Sequence, residues 1–311
     1  MSLLLAADFT PDALQDWAAE LRTVLPGETV LTQRSAAHDG EIEMAVVANP
    51  PPGALQGLPR LRFIQSMWAG VDKLLRDDTI PTDIQLARMV DPAMSTAMAE
   101  TALWAVLSLQ RDHFRYAAQQ RAGEWRSLPQ RRADETHVAV LGLGEMGRTV
   151  ALRLAANGYP VSGWSRREVV LPGIETFIRD TALPALLAWA DIVINLLPLT
   201  ARTHSLFNAQ AFAQMKPGAG FVNLARGQQV VEADLLSALN RGHLRHAVLD
   251  VFQTEPLPAA HAFWSHPQVT VLPHAAAQTD LRSATRVAVA NLRAWREGRP
   301  VAHLVDRARG Y

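Results

Sequence analysis

The stretch His137–Gly147, HVAVLGLGEMG, constrains this chain more than any other. Four apolar residues, Val138–Leu141, run straight into Gly142-x-Gly144-x-x-Gly147, and helix-forming residues continue from Arg148 to Ala156. A strand, a glycine turn and a helix in that order form the dinucleotide-binding unit of a doubly wound sheet. Gly142 permits the tight turn, Gly144 lets a pyrophosphate approach the backbone, and Gly147 lets the helix pack on the strand. Unpaired N–H groups where the helix starts, at Glu145 and Met146, then face the phosphates.

The flanking sequence supplies the rest of such a fold. Between about 137 and 274 an apolar strand repeatedly ends in a polar or small residue and is followed by a helix. The predicted strands are Val138–Leu141, Val161–Trp164, Ile192–Leu197, Gly220–Leu224, Ala247–Val251 and Val269–Leu272. Near-continuous apolar runs of this kind are buried on both faces of a parallel sheet. Residues 1–90 predict a smaller α/β unit, with strands at Leu3–Ala7, Met44–Ala48, Leu61–Met67 and Ile84–Val90. A helix over Pro11–Leu25 is capped by Thr10. Two stretches free of glycine and proline, Ser95–Arg111 and Thr279–Arg296, are long enough to carry the chain out of that unit and back. The expectation is an α/β protein of two domains. A Rossmann-type domain spans 99–279, and a discontinuous, flavodoxin-like substrate domain is built from 1–98 and 280–311.

Composition removes several function classes. With 30 basic and 30 acidic residues the formal net charge is zero, so nothing draws the chain to nucleic acid or to an anionic membrane. There is no cysteine, which excludes disulfides, thiolate catalysis and cysteine-ligated metal, and no metal site is expected. The N-terminus lacks the basic flank of a signal peptide, and no apolar run reaches the roughly 20 residues of a membrane span. A cytoplasmic enzyme is the default.

In open α/β sheets ligands bind outside the carboxyl ends of the strands. The second strand there delivers Ser165-Arg166-Arg167 where an NAD-selecting acid normally stands. Two guanidiniums and a hydroxyl suit a 2′-phosphate, so NADP(H) is preferred over NAD(H), with a solvated arginine pair as the alternative. Later strands bring Arg226, Asp250 and His274 to the same edge. Hydride transfer to a carbonyl needs a proton donor for the forming alkoxide and a cation to hold an anionic substrate. His274 and Arg226 supply these, and Glu255, in the Pro-rich loop after Asp250, suits the other imidazole nitrogen. Singly each has a structural reading: a buried or capping histidine, an arginine paired with Glu232, a solvated glutamate.

Together these residues resemble the D-isomer-specific 2-hydroxyacid dehydrogenases, along nearly the whole chain. The motifs are Ala69-Gly70-Val71-Asp72, the glycine turn, Asn195-Leu196-Leu197-Pro198, Asn223-Leu224-Ala225-Arg226-Gly227, Leu249-Asp250-Val251-Phe252, Glu255-Pro256-Leu257-Pro258, Pro273-His274 and the tail Val305–Tyr311. The resemblance implies a catalytic set of Arg226, Glu255 and His274, with His274 the general acid. It implies that Asp250 contacts the nicotinamide end and that Leu197, Pro198 and Thr203 line the cofactor groove. It gives Ala69, Gly70 and Val71 to the substrate carboxylate, with Trp68 beside them; Met67 and Met94 are further pocket candidates. The implied activity is NADPH-dependent reduction of small 2-oxo acids such as glyoxylate and hydroxypyruvate, in a homodimer. Tyr116–Arg132, with Trp125 and several arginines, is a candidate contact arm, with a solvated loop as the alternative. Two departures stand out: the missing acid at 165–167, and Ala275-Ala276-Ala277 after His274 where the family carries bulkier residues. A non-catalytic nucleotide sensor of the same fold, or a dehydrogenase of another small anion, remain the alternatives.

Overall fold

In the computed structural model residues 2–310 are described, so Met1 and Tyr311, the last residue of the tail motif, lie outside the described residues. The chain divides into two units, Met1–Met94 with Thr279–Tyr311, and Ser95–Gln278.

In the first unit the strands are Ser2–Ala7 (β1), Thr29–Leu31 (β2), Ile42–Ala48 (β3), Phe63–Ser66 (β4) and Gln85–Ala87 (β5). They pair in parallel in the order β2-β1-β3-β4-β5, which is the flavodoxin-like order. Its helices are Pro11–Val24 (α1) and the single turn Asp72–Leu75 (α2). Thr10 Oγ1 accepts the Ala13 N–H at 3.4 Å and proline occupies the first helical turn, so α1 starts where the cap signal put it.

The second unit opens within the helix Pro92–Gln110 (α3), followed by His113–Ala122 (α4). Its strands are Val138–Leu141 (β6), Val161–Trp164 (β7), Glu175–Phe177 (β8), Ile192–Asn195 (β9), Ala219–Asn223 (β10), Leu244–Leu249 (β11) and Val269–Val271 (β12). Its remaining helices are Glu145–Ala156 (α5), Leu183–Trp189 (α6), Ala209–Gln214 (α7) and Glu232–Asn240 (α8). The sheet order is β12-β11-β10-β9-β6-β7-β8, all parallel. Counted from β6 this is the doubly wound order 3-2-1-4-5-6 with a seventh strand, and the direction of winding reverses between β6 and β9. The period-2 alternation explains why its strands are apolar throughout. Ala139, Leu141, Val193, Phe221 and Leu249 face a layer carrying Leu187, Phe212 and Leu235. Val138, Val140, Ile194, Val222 and Val248 face one carrying Ala102, Val106 and Leu154. Each fully buried large aliphatic side chain contributes about 1.5–3 kcal/mol.

The chain returns to the first unit in Leu281–Arg296 (α9), capped by Asp280 Oδ1 on Ser283 N at 2.8 Å. Trp295 stacks on Phe63 of β4 at 5.7 Å, and Asn291 Nδ2 donates to buried Gln65 Oε1 at 2.8 Å. Among the described residues no helix is long and apolar enough to cross a membrane.

Several strand expectations change. β2 and β8 were not foreseen: each is a three-residue edge strand that opens on an exposed polar residue. β9 ends at Asn195 rather than Leu197, because Asn195 Oδ1 accepts the Leu197 N–H at 3.2 Å and turns the chain. β11 starts at Leu244 instead of Ala247, since Arg245 and His246 also lie in the ladder.

Candidate active site

The three motif glycines have three separate physical reasons. Gly142 has φ 101°, donates its N–H to Trp164 O at 2.8 Å, and leaves no room for a Cβ, which would lie 2.6 Å from Leu196 O. A Cβ on Gly147 would overlap the Gly142 carbonyl, so α5 rests directly on the turn. Gly144 differs: its φ is an ordinary −69°, and a Cβ there would meet nothing within 4 Å. It caps α5 with no side-chain hydrogen bond, so the first N–H groups of the helix, at Glu145 and Met146, are uncapped beside open space. That is the geometry an anion needs, and a pyrophosphate fits it.

Beyond β7, Arg166 and Arg167 are exposed, and the first carboxylate comes only at Glu168. Ser165 departs from expectation. It is buried and its hydroxyl donates to the Arg167 carbonyl, so it shapes the turn that carries the arginines. On the other side of the switch point, Thr203 Oγ1 donates to Pro198 O at 2.7 Å and holds the Leu197-Pro198 turn after β9. Behind that turn lies a buried amide cluster that sequence reasoning missed. Asn195 Nδ2 donates to Asn223 Oδ1 at 2.9 Å and to Gln229 Oε1 at 2.7 Å. Amide residues closing two adjacent apolar strands, Asn195 and Asn223, were the available signal.

Arg226, Glu255, His274 and Asp250 come together at the carboxyl ends of β10, β11 and β12. Asn223 Nδ2 donates to Arg226 O at 3.1 Å, which fixes the loop bearing the guanidinium. A Cβ on Gly227 would overlap the carbonyl group of Phe252, so that loop packs on the segment leading to Glu255. Both oxygens of Glu255 are engaged: Oε1 accepts Phe252 N–H at 3.0 Å, and Oε2 lies 2.8 Å from His274 Nδ1. Burial works to raise the Glu255 carboxyl. The hydrogen bonds from His274 and Phe252 and the charges of His274 and Arg226 outweigh it and hold the carboxyl below its ordinary value. Facing an ionised carboxylate, Nδ1 carries a proton, which leaves Nε2 as the outward nitrogen of a half-exposed ring.

His274 has φ 54°, a conformation few non-glycine residues adopt. Asp250 holds it there. Its carbonyl accepts the His274 N–H at 2.9 Å, and its carboxylate accepts the N–H groups of Ala275 at 2.7 Å and Ala276 at 3.1 Å. Burial raises the Asp250 carboxyl against the lowering effect of those two N–H groups and of His274. Glu232 accepts Gln253 N–H at 3.2 Å and lies 3.2 Å from His261 Nε2, bracing the Glu255 loop.

In the first unit Trp68–Val71 forms the turn between β4 and α2. Trp68 N donates to Ser66 Oγ at 3.0 Å, and Met89 N to Trp68 O at 3.0 Å. The indole Nε1 of Trp68 is buried with no hydrogen-bond partner among the described residues. Met67 and Met94 are both buried core residues. In the second unit a cavity of about 460 Å³, lined by Arg111, Arg131, Arg132 and Tyr159 among others, adjoins the segments leading into β6 and β7, at the sheet edge opposite Arg226, Glu255 and His274 of that same unit.

Residues 103–276 match the family described as D-isomer specific 2-hydroxyacid dehydrogenase, NAD binding domain. The chain belongs to this family. It is thereby an oxidoreductase, and the similarity extends past the matched domain. The glyoxylate/hydroxypyruvate reductase A of Serratia proteamaculans (strain 568) is 39% identical over 302 residues, 96% of each chain. A D-isomer specific 2-hydroxyacid dehydrogenase from Xanthobacter autotrophicus Py2, solved in complex with NADPH and MES, has a TM-score of 0.94 at 39% identity, covering 100% of this chain and 99% of that one. An NADPH-dependent glyoxylate/hydroxypyruvate reductase from Sinorhizobium meliloti, solved with NADP and sulfate, has a TM-score of 0.92 at 36% identity, covering 100% and 99%.

Proposed function

We propose that this dehydrogenase reduces small 2-oxo acids with NADPH, and that glyoxylate and hydroxypyruvate are its preferred substrates. The observation that carries the reading is the 2.8 Å contact of His274 Nδ1 with Glu255 Oε2, beside Arg226 at the carboxyl edge of the dinucleotide sheet. The relatives named for glyoxylate and hydroxypyruvate reduction, and those solved with NADPH or NADP, support the substrate and cofactor.

The uncapped start of α5 with Gly142, Gly144, Glu145, Met146 and Gly147 holds the pyrophosphate, and Arg166 and Arg167 hold the 2′-phosphate, on the turn that Ser165 shapes. Leu197, Pro198 and Thr203 line the groove, and Asp250 lies toward the nicotinamide end. Bound there, the nicotinamide supplies the hydride. Arg226 holds the substrate carboxylate and polarises the keto oxygen. The substrate-binding role that the resemblance implies for Trp68, Ala69, Gly70 and Val71 suits a turn that can present adjacent N–H groups to an anion. His274 Nε2 gives its proton to the oxygen that gains charge, and Glu255 stabilises the imidazolium beforehand and keeps the ring oriented. We further place the enzyme in the cytoplasm as a homodimer, with the arm Tyr116–Arg132 and its fully exposed Trp125 at the contact; a monomer mass by light scattering would remove that assignment.

The test is turnover of glyoxylate, hydroxypyruvate, pyruvate and formate with NADPH and NADH, for wild type and His274→Gln. The variant should lose at least about a hundredfold in kcat, the low end for a general acid, while binding NADPH as wild type does. Wild-type-like turnover in the variant would end the acid role. Activity on formate alone, or NADPH binding without reduction of any 2-oxo acid, would end the substrate reading.

A further inference from the structure

Gln229 is completely buried, and its amide uses every hydrogen bond available to it. Oε1 accepts from Arg226 N at 3.2 Å and Asn195 Nδ2 at 2.7 Å. Nε2 donates to Leu197 O and to Pro198 O, each at 3.1 Å. One side chain therefore ties the loop bearing the Arg226 guanidinium to the turn given to the cofactor groove. We infer that Gln229 is a positioning residue that couples the two. It sets where Arg226 stands relative to Leu197-Pro198, so that cofactor and oxo acid are held in one register.

The sheet does not need Gln229 for this join. β9 and β10 are already tied through their ladder and by Asn195 Nδ2 on Asn223 Oδ1 at 2.9 Å. An apolar side chain of the same length would fill the space equally well. It could not hold two carbonyls of one loop and a backbone N–H of the other, and a mispositioned catalytic group is costly even when displaced by about 1 Å. The coupling is also directional in its chemistry. The groove side is held by the two amide hydrogens and the arginine side by the carbonyl oxygen, so loss of the amide frees both loops together.

The inference rests on the reductase reading above, and the experiment separates the two. Gln229→Met keeps length and removes the amide. It should raise the Kd for NADPH about fivefold and the KM for the oxo acid about tenfold, with kcat changed less than about threefold. In an Arg226→Lys background the same substitution should change KM by less than about twofold, because the group it positions is already altered. Equal effects in both backgrounds, or unchanged KM and Kd in a folded Gln229→Met protein, would overturn the inference. Should Gln229→Met fail to fold, Gln229→His retains one donor and one acceptor and takes its place in both backgrounds. Its shifts should be smaller, and equal effects or unchanged constants would again overturn the inference. A wild-type protein that reduces no 2-oxo acid refutes the reductase reading instead. Fluorescence titration of NADPH still judges the groove side of Gln229 in that case.

Discussion

Replacing Gly144 with serine should move stability and cofactor affinity in opposite directions. Gly144 has φ −69° and ψ −167°, extended backbone that any residue adopts and that is normal for an N-cap; a Cβ there meets nothing within 4 Å. A serine hydroxyl would bond the free N–H groups at the start of α5. That cap improves on glycine by a few tenths of a kcal/mol. Restricting the unfolded chain adds about 0.4–1 kcal/mol. The sum is about 1 kcal/mol, or a rise of about 2–4 °C in the unfolding midpoint for a unit of this size. The same hydroxyl takes the donors a pyrophosphate would use and fills the space it would enter. Loss of one charge-assisted hydrogen bond costs about 1.5–3 kcal/mol, which weakens NADPH binding about 10- to 100-fold. Differential scanning calorimetry on the protein without cofactor and fluorescence titration with NADPH read the two effects separately. A lowered midpoint would show that the site is not open as described, and an unchanged Kd would show that the phosphates lie elsewhere.

Arg166→Ala with Arg167→Ala should raise the KM for NADPH at least about tenfold and that for NADH less than about twofold; equal losses would remove the 2′-phosphate assignment. Trp68→Phe removes the buried indole N–H that has no acceptor among the described residues, and should cut the preference for hydroxypyruvate over pyruvate about tenfold. An unchanged kcat/KM ratio would show that the indole meets no substrate hydroxyl. His246, stacked on Phe114 at 4.0 Å and 2.9 Å from Thr270 Oγ1, is pulled by burial and by nearby Arg245 from 6.5 to about 4. The unfolded chain therefore takes up the proton first, and the stability His246 contributes is complete above pH 6.5 and lost as pH falls toward 4. Urea unfolding should show a loss of about 3 kcal/mol from this group between pH 7.5 and pH 4, absent in His246→Gln; identical pH slopes would refute it.

Residues that act through local pattern were legible in the chain. β6 and β7 begin and end where their apolar runs do, because both faces of those strands are buried, and Thr10 starts α1 where its side chain predicts. The pairing of Glu255 with His274, 19 positions apart, was legible for a chemical reason: a proton-donating imidazole needs a carboxylate, and the Pro-rich loop offered one. Other features depend on neighbours no local pattern records. β2 and β8 exist because a sheet edge was there to accept three residues. Arg245 and His246 continue β11 although polar, because Phe114 covers the imidazole. Ser165 has the chemistry of a phosphate ligand, but its hydroxyl binds the carbonyl two residues on. Gln229 follows Arg226 closely, but its worth lies in the carbonyls of Leu197 and Pro198, some thirty positions earlier.

Insertion of the continuous unit Ser95–Gln278 into the other has a consequence for biosynthesis. The ribosome makes β1–β5 first, yet Trp295 and Asn291, which cover Phe63 and Gln65, emerge only after another 184 residues (95 to 278). At about 5–20 residues per second that interval is roughly 10–40 s. Throughout it the nascent flavodoxin-like sheet presents an uncovered apolar face, while the Rossmann unit has all of its own sequence as soon as Gln278 clears the exit tunnel. The segment translated earliest is thus the last to be sealed, and it is the part of the chain with most need of a chaperone.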